Sequence, residues 1–210
     1  KYVVIDKTAF YPLGGGVSYD TGIFIKGSEE FPVIYTGKFG EVISHEVSKP
    51  GLKQGDKVTG KIDWDRRYKL MKLHTTAHLL IGVFHSKSKA MITGGKIEPD
   101  KARMDFSLEN YDRQMIDDYC KIANDLIQKD AQIKISYMDR AEALKIQDMV
   151  KLANKMPPDV KTLRIVEIEG IDKQADGGCH VKNLKEIGTI EILKVENKGK
   201  NNRRVYFDVV

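Results

Sequence analysis

The 210-residue chain has only two cysteines, Cys120 and Cys179. Two thiols cannot build the disulfide framework of a small secreted domain, and their scarcity suits a reducing interior. Nor does any run approach the ~20 apolar residues that a membrane-spanning helix needs. No signal-peptide pattern is visible, so a cytoplasmic protein without a membrane role is expected. A methionine is also missing from the start. Lys1 stands in what reads as mid-strand, and the first domain is expected to lack an initial segment. Acidic residues are slightly outnumbered, giving a net charge of +5 and a pI near 9.0. That excess favours a polyanionic partner without demanding one. Hydrophobic content of 41% and charged content of 31% suit a soluble globular chain of one or two domains.

Histidine is also scarce, yet three of the five histidines fall in two short motifs. His74-Thr75-Thr76-Ala77-His78 puts two imidazoles at i and i+4, one turn apart on one face if the segment is helical, a spacing that suits one metal ion. Helix is supported by Leu70, Leu73, Ala77, Leu80, Ile81 and Phe84 recurring at helical spacing. About a hundred residues later comes Asp176-Gly177-Gly178-Cys179-His180, a tight loop with a third histidine, a carboxylate and a thiol. All three ligand types suit Zn2+, and three protein ligands leave a position for water or substrate. Satisfied core histidines are the plainer alternative. A zinc peptidase is disfavoured, because Thr75 stands where the general-base glutamate of that motif belongs.

Residues 1–65 read as short strands, Tyr2–Ile5, Ile23–Ile25, Val33–Tyr35 and Val58–Ile62, punctuated by glycines, which suggests a small β-barrel or folded meander. Gly14-Gly15-Gly16 reads either as a tight turn or as a loop lying over substrate. Trp64, Arg66 and Arg67 mark the crossing into a second domain, 66–210. A helix over about 66–89 opens it, with His85 expected at the surface or behind the site. Residues 93–101 read as loop or hairpin and Ala102–Ser107 as a strand. Asp105 on that strand is a candidate for binding substrate or for orienting a metal-bound histidine, with a salt-bridging role as the alternative. A helix over about 110–129 follows, its core spacing set by Met115, Tyr119, Ile122, Ala123 and Leu126, with Cys120 a small core residue. Ile133, Ile135 and Tyr137 alternate as a strand, and a short helix over about 140–151 ends before Pro157-Pro158. A strand over 162–168 precedes the glycine-histidine loop. A final hairpin, 188–196 with 203–209, turns at 198–202. The fold class is therefore α+β: a small N-terminal β-barrel, then helices packed on a largely antiparallel sheet.

The segments His74-Thr75-Thr76-Ala77-His78-Leu79-Leu80 and Gly177 to Asn183 with Glu186-Ile187-Gly188 resemble the editing domain of alanyl-tRNA synthetase and its free-standing relatives, the AlaX trans-editing proteins. Phe10 to Gly16 with Asp20-Thr21-Gly22 resembles the family's glycine-rich loop, and Lys101–Phe106 and 141–153 are similar to further family segments in the same order. The resemblance covers nearly the whole chain. It implies a zinc-dependent aminoacyl-tRNA deacylase that hydrolyses tRNA(Ala) mischarged with serine or glycine. His74, His78 and Thr75 would be catalytic, with Thr75 and Thr76 lining the pocket, unless they serve ordinary helix packing, and Gly14, Gly15 and Gly16 against the substrate. Two departures bear on this. Leu13 and Val17 stand where the family often has Thr and Gln, which weakens the expectation of serine preference and raises glycine. Asp176 stands at the cysteine of the family's CGGTH motif, with Cys179 at its threonine. Either Asp176 supplies a carboxylate beside His74, His78 and His180, or water completes the site. Cys179 is the rival, although adjacent residues in extended backbone point apart.

Phosphate contacts to the acceptor end would come from Lys69, Lys72, Lys87, Lys89, Lys96, Lys101, Lys182, Lys185, Arg203 and Arg204. Two other readings stay open: a tRNA-binding homologue with weakened catalysis, and a metal-dependent hydrolase of small esters or amides. A threonyl-tRNA editing domain shares the metal pattern but usually lacks the preceding barrel and glycine loop.

Overall fold

The computed structural model describes residues 1–109, 112–146, 149, 151, 153 and 159–210. Two compact units emerge, Lys1–Leu70 and Met71–Val210. In the first, β1 (Tyr2–Val3), β2 (Gly22–Lys26), β3 (Glu29–Phe39), β4 (Val42–Val47) and β5 (Thr59–Ile62) form one antiparallel sheet. Its order is β1-β4-β3-β2-β5, and among the described residues no ladder joins the two edges. The expected barrel is thus an open sheet here. Alternation along β3 sends Phe31 and Val33 inward, where they join Phe10, Phe24 and Val47 in a core cluster. Apolar burial of this kind, at roughly 25 cal/mol per Å², is the main favourable term available to so small a unit.

The glycine loop is tied to this sheet from both ends. Leu13 N–H donates to the Thr36 carbonyl at 2.9 Å and Asp20 N–H to the Tyr11 carbonyl at 2.9 Å. Gly15 and Gly16 have φ of 61° and 84°, a region that side chains resist. Asp20, 1% exposed, accepts Tyr11 N–H at 2.7 Å and the Arg67 guanidinium, whose Nε lies 3.0 and 2.9 Å from its two oxygens. Val17 is buried and Leu13 half-exposed.

Helix α1 (Trp64–Ser88) begins where the Asp63 carboxylate accepts Arg66 N–H at 3.1 Å, an N-terminal cap. It ends at Lys89, whose φ of 56° is a left-handed stop. From Leu73 to Phe84 every side chain is buried, so this stretch is enclosed on all sides rather than amphipathic. Its two threonines satisfy their hydroxyls on Met71 and Lys72 carbonyls, each at 2.9 Å.

The second unit holds two more antiparallel sheets. One is β11-β12-β7-β6, from β6 (Ile92–Glu98), β7 (Lys101–Phe106), β11 (Ile190–Asn197) and β12 (Arg203–Val209); the other is β10-β9-β8, from β8 (Ile133–Asp139), β9 (Thr162–Ile168) and β10 (Asp172–Ala175). Residues 92–106 are therefore a hairpin. Phe84 of α1 stacks on Phe106 at 4.2 Å, and Tyr119 meets Phe84 edge-on at 5.0 Å. Helix α2 (Arg113–Gln128) is capped by Asp112 and buries Ile116, Cys120, Ala123 and Ile127. Of the stripe expected at Met115, Tyr119, Ile122, Ala123 and Leu126, Ala123 is buried and the other four are half-buried. The core face sits one residue further on, because Cys120 behaves as a hydrophobe. Helix α3 covers only Arg140–Ala143, shorter than the expected 140–151: residues 144–146 are turn and bend and 149 and 151 are not helical, while 147, 148 and 150, with Pro157-Pro158 and Asn110, lie outside the described residues. No helix among the described residues is long and apolar enough to cross a membrane.

Candidate metal centre

Four donor groups converge in the second unit. His74 and His78 come from α1, Asp176 and His180 from the loop after β10, and one donor atom of each lies within 4.8 Å of the others. Asp176 is central. Its oxygens lie 3.6 Å from His74 Nε2, 4.0 Å from His78 Nε2 and 3.1 Å from His180 Nε2. The outer nitrogens are all engaged: His74 Nδ1 lies 3.3 Å from the Cys179 carbonyl, His78 Nδ1 2.9 Å from Asp172 Oδ2 and His180 Nδ1 3.1 Å from Thr75 Oγ1. Because a carbonyl and a carboxylate can only accept, Nδ1 carries the proton in His74 and His78, and their Nε2 lone pairs face inward. Thr75 Oγ1 already donates to the Met71 carbonyl, so it accepts from His180 and gives the same tautomer. Three inward Nε2 atoms and a carboxylate suit one divalent cation of the zinc type, the fixed tautomers being what a metal site requires.

Local sequence explains the convergence. Gly178 is obligatory: a Cβ there would lie 2.3 and 2.5 Å from two atoms of the His74 ring. Its N–H donates to Asp176 Oδ2 at 2.6 Å, fixing the carboxylate in a tight turn. On α1, a Cβ at Gly82 would lie 2.6 Å from the Ile171 carbonyl oxygen, so that glycine lets helix and β9–β10 turn approach closely enough for His78 to reach Asp172.

Electrostatics follow from burial and proximity. Burial depresses His74 well below the usual imidazole range, helped by the neighbouring His180. Burial likewise lowers His180 to about 4, against the opposing pull of Asp176. His78 behaves differently. Burial lowers it, but the hydrogen bond and charge of Asp172 outweigh that, and its pKa is raised. Burial also disfavours the charge of Asp176, yet the close approach of His180 and the field of the three imidazoles hold its carboxyl well below the carboxylate range.

Of the residues singled out in sequence, His74, His78, Asp176 and His180 are brought together. Cys179 meets the cluster through its carbonyl oxygen, and its thiol is not among the gathered donors. Thr75 is fully buried, its hydroxyl 3.1 Å from His180 Nδ1 and accepting the Val181 N–H at 3.2 Å. Asp105 lies in the four-stranded sheet, gripped by Arg204 at 2.7 and 2.8 Å. That pair also engages Arg204, while Arg203 is anchored on Asn197, Gly199, Asn202 and Glu109; both are fold contacts first. His85 is buried, with Nδ1 3.3 Å from the Ala90 carbonyl, not at the surface. Gly14, Gly15 and Gly16 belong to the first unit.

Sequence reading passed over Asp172, Gln174, Lys151 and Arg164. Asp172 is wholly buried and accepts from His78, from Lys151 Nζ at 2.7 Å and from Gln174 Nε2 at 2.8 Å. Arg164 Nη1 donates to the Asp176 carbonyl at 2.8 Å. The signal was present: Asp172, Gln174 and Asp176 are polar at every second position, one face of a strand running into the glycines.

Comparison with known proteins agrees with this geometry. Residues 163–206 match the family described as the threonyl and alanyl tRNA synthetase second additional domain, and residues 1–66 match tRNA synthetases class II (A). The alanyl-tRNA editing protein AlaX-M of Saccharolobus solfataricus is 49% identical, over 100% of this chain and 89% of that protein. Its namesake in Methanosarcina barkeri is 46% identical with the same coverage. An alanine–tRNA ligase of Ignicoccus hospitalis is 36% identical over 92% of this chain, which spans 22% of the ligase. The chain belongs to the AlaX-M type of alanyl-tRNA editing proteins, homologous to the editing region of alanyl-tRNA synthetases.

Proposed function

We propose that this protein hydrolyses the ester linking a wrong amino acid, serine or glycine, to tRNA(Ala), acting in trans on the released aminoacyl-tRNA at a zinc-containing site. The observation that carries the reading is the set of three inward Nε2 atoms around the Asp176 carboxylate, each imidazole locked by an outer hydrogen bond. Zinc would be held by His74, His78, His180 and Asp176; when bound, it supplies Lewis-acid chemistry for water or a hold on the substrate's α-amino group. The chain's own residues do the rest. Thr75 and the Cys179 carbonyl hold His180 and His74 in register, and Asp172 does so for His78. Gly178 keeps the loop close enough to the His74 ring for the carboxylate to sit among the imidazoles. An aminoacyl ester is already activated, so positioning and exclusion of bulk water supply much of the acceleration.

Residues 1–65 are assigned to a glycine-loop module and 66–210 to the editing domain, with Gly14, Gly15 and Gly16 in contact with substrate. With Val17 buried and Leu13 apolar, no side chain at those two positions offers a hydrogen bond to a serine hydroxyl, which favours glycine. Asp105 is committed to Arg204 and is not assigned to substrate. Surface lysines, Lys182 and Lys87 among them, are assigned to the acceptor-end phosphates, so binding should weaken with salt.

The test is deacylation of tRNA(Ala) charged with serine, glycine or alanine, with and without chelator. Loss of the serine or glycine ester, survival of alanine, and inhibition by chelator are expected. Equal loss of all three esters would overturn the reading.

A further inference from the structure

The sheet carrying the metal loop has a bare strip on its outer strand. In register, Tyr137 of β8 faces Arg164 of β9, Ile135 faces Val166 and Ile133 faces Ile168. Across the other edge of β9, Gln174 faces Val166 and Asp172 faces Ile168. Asp176 N–H continues the ladder to the Arg164 carbonyl at 3.0 Å. Tyr137, Arg164 and Asp176 therefore form one cross-strand row, and all of these residues share one sheet face. On that face Val166 and Ile168 are buried, whereas Tyr137 is 71% exposed and Ile135 52%.

A half-buried strand normally turns its apolar alternation inward. Here β8, one of the sheet's two edge strands, turns Ile135 and Tyr137 toward solvent on the same face as the Asp176 carboxylate. Two inter-strand spacings separate them, roughly 10 Å between backbones. The position between is filled by Arg164, whose guanidinium donates to the Asp176 carbonyl and lies 3.8 Å from its carboxylate. The strip is thus continuous with the centre, with a cation between the two.

We infer that Tyr137 with Ile135 is a stacking shelf for an unpaired nucleobase of the tRNA 3′ end whose aminoacyl ester lies at the metal centre. This rests on the editing reading above. A substrate attached through the last nucleotide of a single strand must bring at least one unstacked base to within a nucleotide's reach of the ester. Sequence-tolerant grip on such bases comes from exposed aromatic faces beside cationic groups. An aromatic ring and an isoleucine two residues apart on one strand present a flat apolar patch of that kind, and Arg164 supplies the neighbouring positive charge.

The experiment measures binding of uncharged tRNA(Ala), intact and with its unpaired 3′ nucleotides removed, to the full chain and to Tyr137→Ala and Tyr137→Trp variants. KM and kcat for deacylation of mischarged tRNA are measured alongside. Tyr137→Ala should weaken binding of the intact tRNA by about 5- to 150-fold, the range for one base–aromatic stack. It should raise KM more than it lowers kcat, and Tyr137→Trp should restore binding. Truncated tRNA should bind both proteins alike. Equal binding of intact tRNA by the wild type and Tyr137→Ala overturns the shelf, as does an effect that persists on truncated tRNA. A change of oligomeric state in Tyr137→Ala would also overturn it, making the strip an interface between copies. These failures differ from failure of the editing reading, in which the wild type itself would not deacylate mischarged tRNA.

Discussion

Asp172→Asn is the most informative single change, because its two effects can be separated. The carboxylate accepts three hydrogen bonds, from His78 Nδ1, Lys151 Nζ and Gln174 Nε2, at 2.9, 2.7 and 2.8 Å. Burial alone would raise its pKa, but the hydrogen bond from His78 and the charge of Lys151 outweigh that, and it is lowered. The charge therefore stabilises the fold above the ordinary carboxylate pKa of 3.8 and is lost only below it. Asparagine keeps the shape but turns one acceptor into a donor and leaves Lys151, 6% exposed, with no counter-charge at Asp172. Breaking a buried ion pair by removing one partner costs about 3–5 kcal/mol. Losing the oriented acceptor behind a metal-binding histidine typically costs 10–100-fold in affinity, or about 1.4–2.7 kcal/mol. Denaturant unfolding of the chelator-treated protein measures the first, and zinc competition with a chromophoric chelator the second. Adding Lys151→Met removes the orphaned ammonium and should recover on the order of 1–2 kcal/mol of stability, while zinc affinity stays low. Zinc affinity at the wild-type level in a folded Asp172→Asn protein would refute the reasoning.

Three further outcomes are expected. Thr75→Val preserves shape but leaves His180 Nδ1–H without its acceptor; zinc content and deacylation should fall together, and Thr75→Ser should retain both. Gly178→Ala forces a methyl against the His74 ring, where the nearest atom would be 2.3 Å away; zinc affinity should fall at least about tenfold, read by the same competition. His45, fully buried against the Phe10 and Phe24 rings, has its pKa lowered by burial from 6.5. A depressed histidine binds fewer protons folded than unfolded, so stability should fall as pH drops below about 6.5; thermal melts between pH 7.5 and 5 should show this slope, and His45→Phe should make it shallower, the depressed His74 and His180 keeping a remainder.

The histidine pair and the distant loop were legible because a metal site needs scarce residue types at fixed spacings, which chance seldom supplies. Strand alternation likewise marked β7 and β8. What could not be read was supplied by tertiary context. The core face of α2 slipped by one residue because helical periodicity leaves about 100° of ambiguity when half-polar residues flank the stripe. Asp105 read either as a site carboxylate or as a salt-bridging residue; its partner, Arg204, comes from almost a hundred residues away, a pairing that only sheet register creates. Lys151 gave no local signal, since one lysine in a lysine-rich chain becomes distinctive only when buried against a carboxylate.

The contest between Asp176 and Cys179 turns on where each side chain can go. The glycine turn folds the Asp176 carboxylate back onto its own loop, where it accepts Gly178 N–H and meets His180 Nε2. The peptide carbonyl of Cys179 is meanwhile committed to His74. The Cys179 thiol is not among the donor atoms that gather there. Cys179→Ala should therefore leave zinc stoichiometry unchanged, whereas Asp176→Ala should strip zinc and remove the counter-charge shared by three imidazoles. Restoring a soft ligand with Asp176→Cys should bring zinc back, because the position, rather than the carboxylate, faces the three Nε2 atoms. Metal analysis of the three purified variants decides it. Loss of zinc from Cys179→Ala alone would reassign the fourth ligand to the thiol and require a loop conformation different from this one.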